Sequence, residues 1–364
     1  MESKIMMSTK TIAEVFNESK LSKDKYDLYL SYLESTLLSS DFEINSPWFS
    51  KIITMIGAWF GSLLFLAFLF FIRILNSGES MIITGCVFIF VAIGISYANV
   101  RDHFIDSLSL SLSILGLILF MLGIGNITNT IQAAYFAGLF VEILIYISAQ
   151  SYIHKFLSVI LIPACLLGTI WNSPIFDATQ FIIGGLAVAS VLIWTNELPL
   201  QIWLKKKPYF YIPTAYGVVL GLLLLLILSI NNKFFVVHIT HWYFTFLIAF
   251  LSLVYLLYNS LYISLGLSKK YFIIVISIAA LLFLPTVQAP GIISSALIII
   301  LGFAKSNRVL LTLGIIFLAT FIISFYYSLQ LTLLIKSLIL IITGILFLGM
   351  GFALGQLKKK VSTQ

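Results

Sequence analysis

The sequence predicts an all-α polytopic membrane protein with about twelve transmembrane helices and both termini in the cytoplasm, and three observations carry that prediction. Hydrophobic residues fill 60% of the 364 positions and charged residues only 10%, against roughly a quarter charged in ordinary soluble domains. The apolar residues gather into unbroken runs, most of them near the roughly 20 residues that cross a hydrocarbon core. The cations between those runs are distributed asymmetrically. A membrane β-barrel would show alternating segments of about ten residues, and runs apolar on every face favour helices.

Taken in order, the apolar segments lie near 52–72, 81–98, 105–125, 130–149, 152–171, 178–195, 209–229, 243–264, 271–285, 289–304, 309–328 and 332–354. With the amino terminus inside, the cytoplasmic links receive six lysines before the first span. They then take Arg101, Lys155, Lys205 to Lys207, Lys269 and Lys270, Lys305 and Arg308, and Lys358 to Lys360, eighteen cations in all. The opposite side receives Arg73 and Lys233, and Lys336 falls inside the last span. This sidedness survives deletion of any adjacent pair of spans. The ninth and tenth segments are that pair, because the ninth closes at Pro285 and the tenth opens at Pro290 and Gly291. Proline interrupts the helical hydrogen-bond ladder, so ten spans plus a re-entrant pair around residues 271–304 is the alternative to twelve full crossings.

Residues 1–47 form a polar cytoplasmic preamble, residues 48–354 the transmembrane domain and residues 355–364 a basic cytoplasmic tail. No cleavable signal peptide is expected, since the amino-terminal stretch is polar and lysine-rich. Thr11 and Glu14 have capping-box spacing ahead of Val15 and Phe16. A second helix is expected from about Ser22 to Leu38, where Tyr26, Leu30, Leu33 and Leu37 fall on one stripe. That stripe covers the membrane surface, a loop or a partner.

Few polar side chains lie inside the runs, and any chemistry must use them. Glu142 lies well within the fourth span, where a carboxylate is costly unless it is protonated, paired or facing water. It reads either as a proton, cation or substrate site, or as a neutral acid hydrogen-bonded between helices. Lys336 is the formal counter-ion, but it sits nearer the outer end of its span than Glu142 by about 12 Å, and snorkelling to the headgroups accounts for it. Arg101, Asp102, His103 and Asp106 cluster at the cytoplasmic mouth of the third span, and His154 with Lys155 opens the fifth. Together they read as a gate, a headgroup patch or ordinary interfacial charge.

His238 and His241 share an external loop with no third ligand in view, so no metal is expected there. Cys86 and Cys165 each lie inside an apolar run and read as small buried hydrophobes. Trp48, Trp59, Trp171, Trp203, Trp242, Tyr326 and Tyr327 fall near span ends, as interfacial anchors do. No zincin, nucleophile-elbow, phosphate-loop, dinucleotide or C-x-x-C motif occurs. No cofactor is therefore expected, and the basic balance is assigned to membrane topology rather than to nucleic acid.

Several stretches together carry a resemblance. They are Pro47-Trp48-Phe49 with Gly57-Ala-Trp59, Glu142-Ile-Leu-Ile-Tyr with His154-Lys-Phe-Leu-Ser, Pro213-Thr-Ala-Tyr-Gly217, Gly302-Phe303 through Asn307-Arg308, and Tyr326 through Lys336-Ser. In that order they resemble a bacterial multi-pass membrane family known as a domain of unknown function, often encoded beside a membrane protein of the GDYxxLxY type. The resemblance implies a bacterial setting and a partner membrane protein, and it supplies no activity; the expected location is the inner membrane, with a homo-oligomer as the alternative to a partner. Three readings follow: a transporter-like or channel-like protein, a non-catalytic membrane subunit, and an intramembrane enzyme acting on lipid with Glu142 or the Arg101 to Asp106 cluster as acid or base.

Overall fold

The computed structural model describes residues 48–97, 103–170, 178–203, 210–230, 242–263, 269–328 and 341. The expected preamble helices, the twelfth segment with Lys336, the basic tail, Arg101, Asp102, His238, His241, Pro47 and Trp171 lie outside the described residues. No strand occurs among the described residues.

The helices are α1 (Trp48–Phe71), α2 (Gly78–Tyr97), α3 (His103–Thr128), α4 (Ile131–Ser148), α5 (Tyr152–Thr169), α6 (Thr179–Thr195), α7 (Glu197–Trp203), α8 (Tyr211–Ile230), α9 (Tyr243–Leu257), α10 (Lys269–Phe283), α11 (Pro290–Ala304) and α12 (Arg308–Ser328). Each expected apolar segment within the described residues is helical. Among the described residues seven helices are long and apolar enough to cross a membrane, and four more are apolar but shorter: Ile56–Phe71, Thr179–Thr195, Phe272–Thr286 and Pro290–Ala304. The short α7 and the π-turn Tyr258–Ile263 that continues α9 are not announced by any apolar period.

By their contacts the described helices fall into two units, divided within α3 between Phe120 and Met121. In the first unit α1 ends at Phe71, and Arg73 in the turn that follows adopts a left-handed conformation (φ 60°). Helices α2 and α3 then run antiparallel and touch backbone to backbone: a Cβ on Gly85 would lie 2.8 Å from the Gly116 carbonyl oxygen. Small residues at a crossing let apolar helices approach this closely, and close approach is what holds helices together where lipid solvates side chains as well as protein does. Four serines of α3, Ser107, Ser109, Ser111 and Ser113, are buried. Ser109 donates to the Ala92 carbonyl across the crossing (2.8 Å) and Ser111 to the Ser107 carbonyl one turn back (2.8 Å), so both hydroxyls are satisfied without water. Leu69, Leu75, Phe88, Leu115 and Leu119 form the small apolar core beside them.

The second unit is built on a larger core that includes Ile183, Val191, Leu222, Leu253, Ile293 and Leu297. Helices α4 and α5 form an antiparallel hairpin in which Gly168 lies against the Tyr135 ring. Helix α8 runs parallel to α5, with Gly217 against Phe156 and Val159 and Gly221 against Ile160. Helix α6 runs antiparallel to α8, since Trp194 donates its indole N–H to the Ala215 carbonyl (3.2 Å) and Tyr211 its hydroxyl to that of Ile193 (3.2 Å). Helices α6 and α9 are parallel, joined by the Thr245 hydroxyl on the Gln180 carbonyl (3.2 Å) and by Gly184 under Ile248. The short α6 thus reverses the chain between two helices of the same sense, whereas α7 does not.

Helix α10 ends at Phe283 in a 3-10 turn over Leu284–Thr286, and Pro290 restarts the chain at the first position of α11, where a proline lacks only an amide that would find no partner anyway. Each of these helices has 15 residues, about 22 Å of rise against a hydrocarbon core of about 30 Å. Helix α11 lies antiparallel on α12, with Gly302 against Leu310 and Leu311, Gly314 against Ile299 and Gly291 against the Phe321 ring. Gly291 is therefore level with Phe321 rather than with Ser328, and α11 opens about 10 Å short of the end of its partner.

The Gln180 side chain is fully buried, and neither its amide nitrogen nor its amide oxygen has a hydrogen-bond partner. A buried amide left unbonded costs about 1–3 kcal/mol. Gln180→Met keeps the length of the side chain and removes that cost. Its melting midpoint in mild detergent is expected to rise above wild type, and a fall would show that the amide holds a water or solute.

Candidate functional site

Helix α5 presents an inverted polarity: its polar side chains face the protein. His154, Ser158 and Cys165 are spaced so that they share one face of the helix, and all three are buried together with Lys155. Fractional exposure is 3% at Glu142, 2% at His154, 1% at Lys155 and 1% at Ser158. Charged residues are almost never buried this deeply unless they are partnered or functional.

Glu142 meets this face from α4. The Ser158 hydroxyl hydrogen-bonds its carboxyl, and the Cys165 sulfur lies within electrostatic range of it. One turn from Glu142 on the same helix, Tyr146 bonds Thr214 of α8 at 2.7 Å. The Thr214 hydroxyl also donates to the Phe210 carbonyl, so its single proton is committed and Tyr146 is the donor to it. The Lys155 ammonium sits 3.5 Å from the centroid of the Phe210 ring, a cation–π contact that strengthens when water is excluded. Phe210 is also edge-on to Tyr146, with centroids 5.4 Å apart. An acid, an imidazole and an ammonium are thus held in one buried corner where α4, α5 and the start of α8 meet.

Two features of the chain build the corner. Gly217-Val-Val-Leu-Gly221 lets α8 approach α5 closely, in the manner of small residues four apart at a membrane helix contact. Pro163 inside α5 removes the amide that would bond the Val159 carbonyl, next to that contact. A second network lies at the same end of the unit, where α5 and α8 begin. The Asn307 side chain donates to the Tyr216 hydroxyl at 2.6 Å and accepts the amides of Val309 and Leu310 at 3.0 and 3.2 Å, capping α12. The Tyr216 ring packs edge-on to Trp194 (5.2 Å), and Tyr152, the first residue of α5, lies within electrostatic range of Tyr216.

The expected site residues fare unequally. Glu142 is at the helix contact described above. His154 and Lys155, whose simplest reading was interfacial charge, are instead buried, Lys155 with its ammonium over the Phe210 ring just before α8. His103 opens α3 and Asp106 lies in its first turn, in the other unit from His154. Pro285 lies in the 3-10 turn, and Pro290 and Gly291 are buried at the start of α11. Sequence reasoning missed the contact of Lys155 with Phe210, the bond of Tyr146 to Thr214 and the role of Ser158 as partner of the acid. The glycine pair four apart was the signal that would have put α8 against α5. Among the described residues no group of three metal-ligating side chains occurs.

Fold and site together define a helical protein of membrane type, with several helices apolar enough to cross a bilayer and ionisable groups buried among them. A family model described as "Domain of unknown function (DUF4401)" matches residues 47–357, and the chain belongs to that family. No curated protein and no solved structure matches it.

Proposed function

We propose that the protein is a transporter-like carrier of the bacterial inner membrane, with twelve spans and both ends cytoplasmic, in which Glu142, His154 and Lys155 bind and release the coupling proton. The observation that carries this reading is the burial of all three side chains, each at most 3% exposed, in one corner of an apolar unit. Ionisable groups inside a membrane domain mark proton and substrate paths, since their cost is retained only where it serves a purpose. The cation asymmetry, seventeen to two once Lys155 is set aside as a residue buried in α5, supports the sidedness. On that sidedness the corner lies in the cytoplasmic half of the membrane, a few turns from the Lys305 to Arg308 link.

The test needs no knowledge of the substrate. Purified protein in liposomes on a solid-supported membrane is given a rapid pH step, and the charge displaced by protonation within the membrane is recorded. Wild type is expected to give a transient that Glu142→Gln, still able to hydrogen-bond Ser158, reduces by about tenfold or more. A wild-type signal equal to that of protein-free vesicles or of folded Glu142→Gln would sink the proposal.

A further inference from the structure

We infer that Asn307 and Tyr216 form a latch that shuts the cytoplasmic approach to the buried corner; this rests on the reading of that corner as the working site. The bond is short, 2.6 Å, and both side chains are half-buried at the end of the unit where α5 and α8 begin. Asn307 belongs to the turn between α11 and α12, and Tyr216 to α8, so the bond ties the α11–α12 hairpin to the helix that completes the corner.

The two ends of the latch are anchored differently. Tyr216 is held by the edge of the Trp194 ring, and the backbone beside it by the Trp194 indole on the Ala215 carbonyl. Two residues earlier, Thr214 receives the Tyr146 hydroxyl, one turn from Glu142. Asn307 in contrast sits in a surface turn with exposed Ser306 and Arg308, and Ser306 has a left-handed conformation (φ 51°). The turn is the movable side and α8 the fixed side. A single hydrogen bond contributes little net stability in contact with water, so the latch opens and closes without unfolding anything. Small shifts at such an element change which of two packings is populated.

The experiment reads accessibility and not transport. In full-length protein carrying Cys86→Ser and Cys165→Ser, Ser158→Cys supplies one thiol at the corner, about 9 Å along α5 from Tyr152. Inside-out vesicles are treated with 2-(trimethylammonium)ethyl methanethiosulfonate, and the modification rate is measured. Tyr216→Phe removes the hydroxyl and keeps the ring on Trp194. Asn307→Ser keeps an N-cap for α12 and is too short to reach Tyr216. Each is expected to raise the rate about tenfold or more, while Asn307→Asp, which accepts from the tyrosine hydroxyl, stays near the parent rate. Either of the first two variants labelling at the parent rate while folded, as judged by an unchanged melting midpoint, overturns the latch. Faster labelling in a protein that shows no pH-step signal would keep the latch and discard the proton reading.

Discussion

Gly85→Leu is expected to abolish the folded first unit, with loss of the monodisperse peak in detergent or a fall in stability of about 3 kcal/mol or more. Overpacking a core commonly costs about 1–3 kcal/mol because neighbouring side chains can give way. At Gly85 they cannot, since the atoms met by a Cβ are the Gly116 carbonyl oxygen and the Phe120 amide nitrogen, both at 2.8 Å, and both belong to the backbone of α3. The two helices must separate, which also stretches the Ser109 bond to Ala92. Gly57→Leu is the matched control, because nothing lies within 4 Å of a Cβ there, and it should melt with wild type. Equal midpoints for the two leucine variants would show that the α2–α3 crossing does not hold the unit together.

The second large effect is expected at Lys155. Lys155 is buried with its ammonium over the Phe210 ring, and truncating a long buried side chain to alanine costs about 2–5 kcal/mol through lost packing and the cavity left behind. Lys155→Ala removes both the ammonium and the stem that fills the space under Phe210. Lys155→Met keeps the stem and removes only the charge, and buried charges replaced by well-packed apolar side chains are often tolerated. The expected order of melting midpoints is therefore wild type or Lys155→Met highest and Lys155→Ala clearly lowest, read by intrinsic fluorescence in mild detergent. An alanine variant as stable as wild type would mean that Lys155 contributes neither charge nor packing to the corner.

Apolar run length made the helices legible, because a segment that must satisfy every backbone group internally has no choice but helix. The same run length could not tell which helices touch. Glu142 stood out since one acid among apolar residues is visible without partners, whereas Lys155 was concealed by its position three residues into α5, where the charge rule absorbs any lysine as a loop cation. The partners of Tyr146 and Lys155 lie at the start of the helix that begins at Tyr211, and nothing in a one-dimensional pattern sets the rotation of that helix about its axis. The π-turn after Leu257 and the seven-residue α7 were illegible for a different reason: each depends on local backbone geometry with no hydrophobic period of its own.

The parallel pairing of α5 with α8 sets an order of assembly. Tyr146 waits for Thr214, 68 residues later in the chain, and Lys155 waits for Phe210. In a chain read as membrane-inserted, the α4–α5 hairpin enters first and holds an acid, an imidazole and an ammonium without the helix that will cover them. That interval between insertion and docking is the stage at which a newly made chain is most exposed to chaperones and proteases. Slower synthesis between residues 170 and 210 would lengthen it, and the yield of intact protein would register the delay before any defect in the finished fold could.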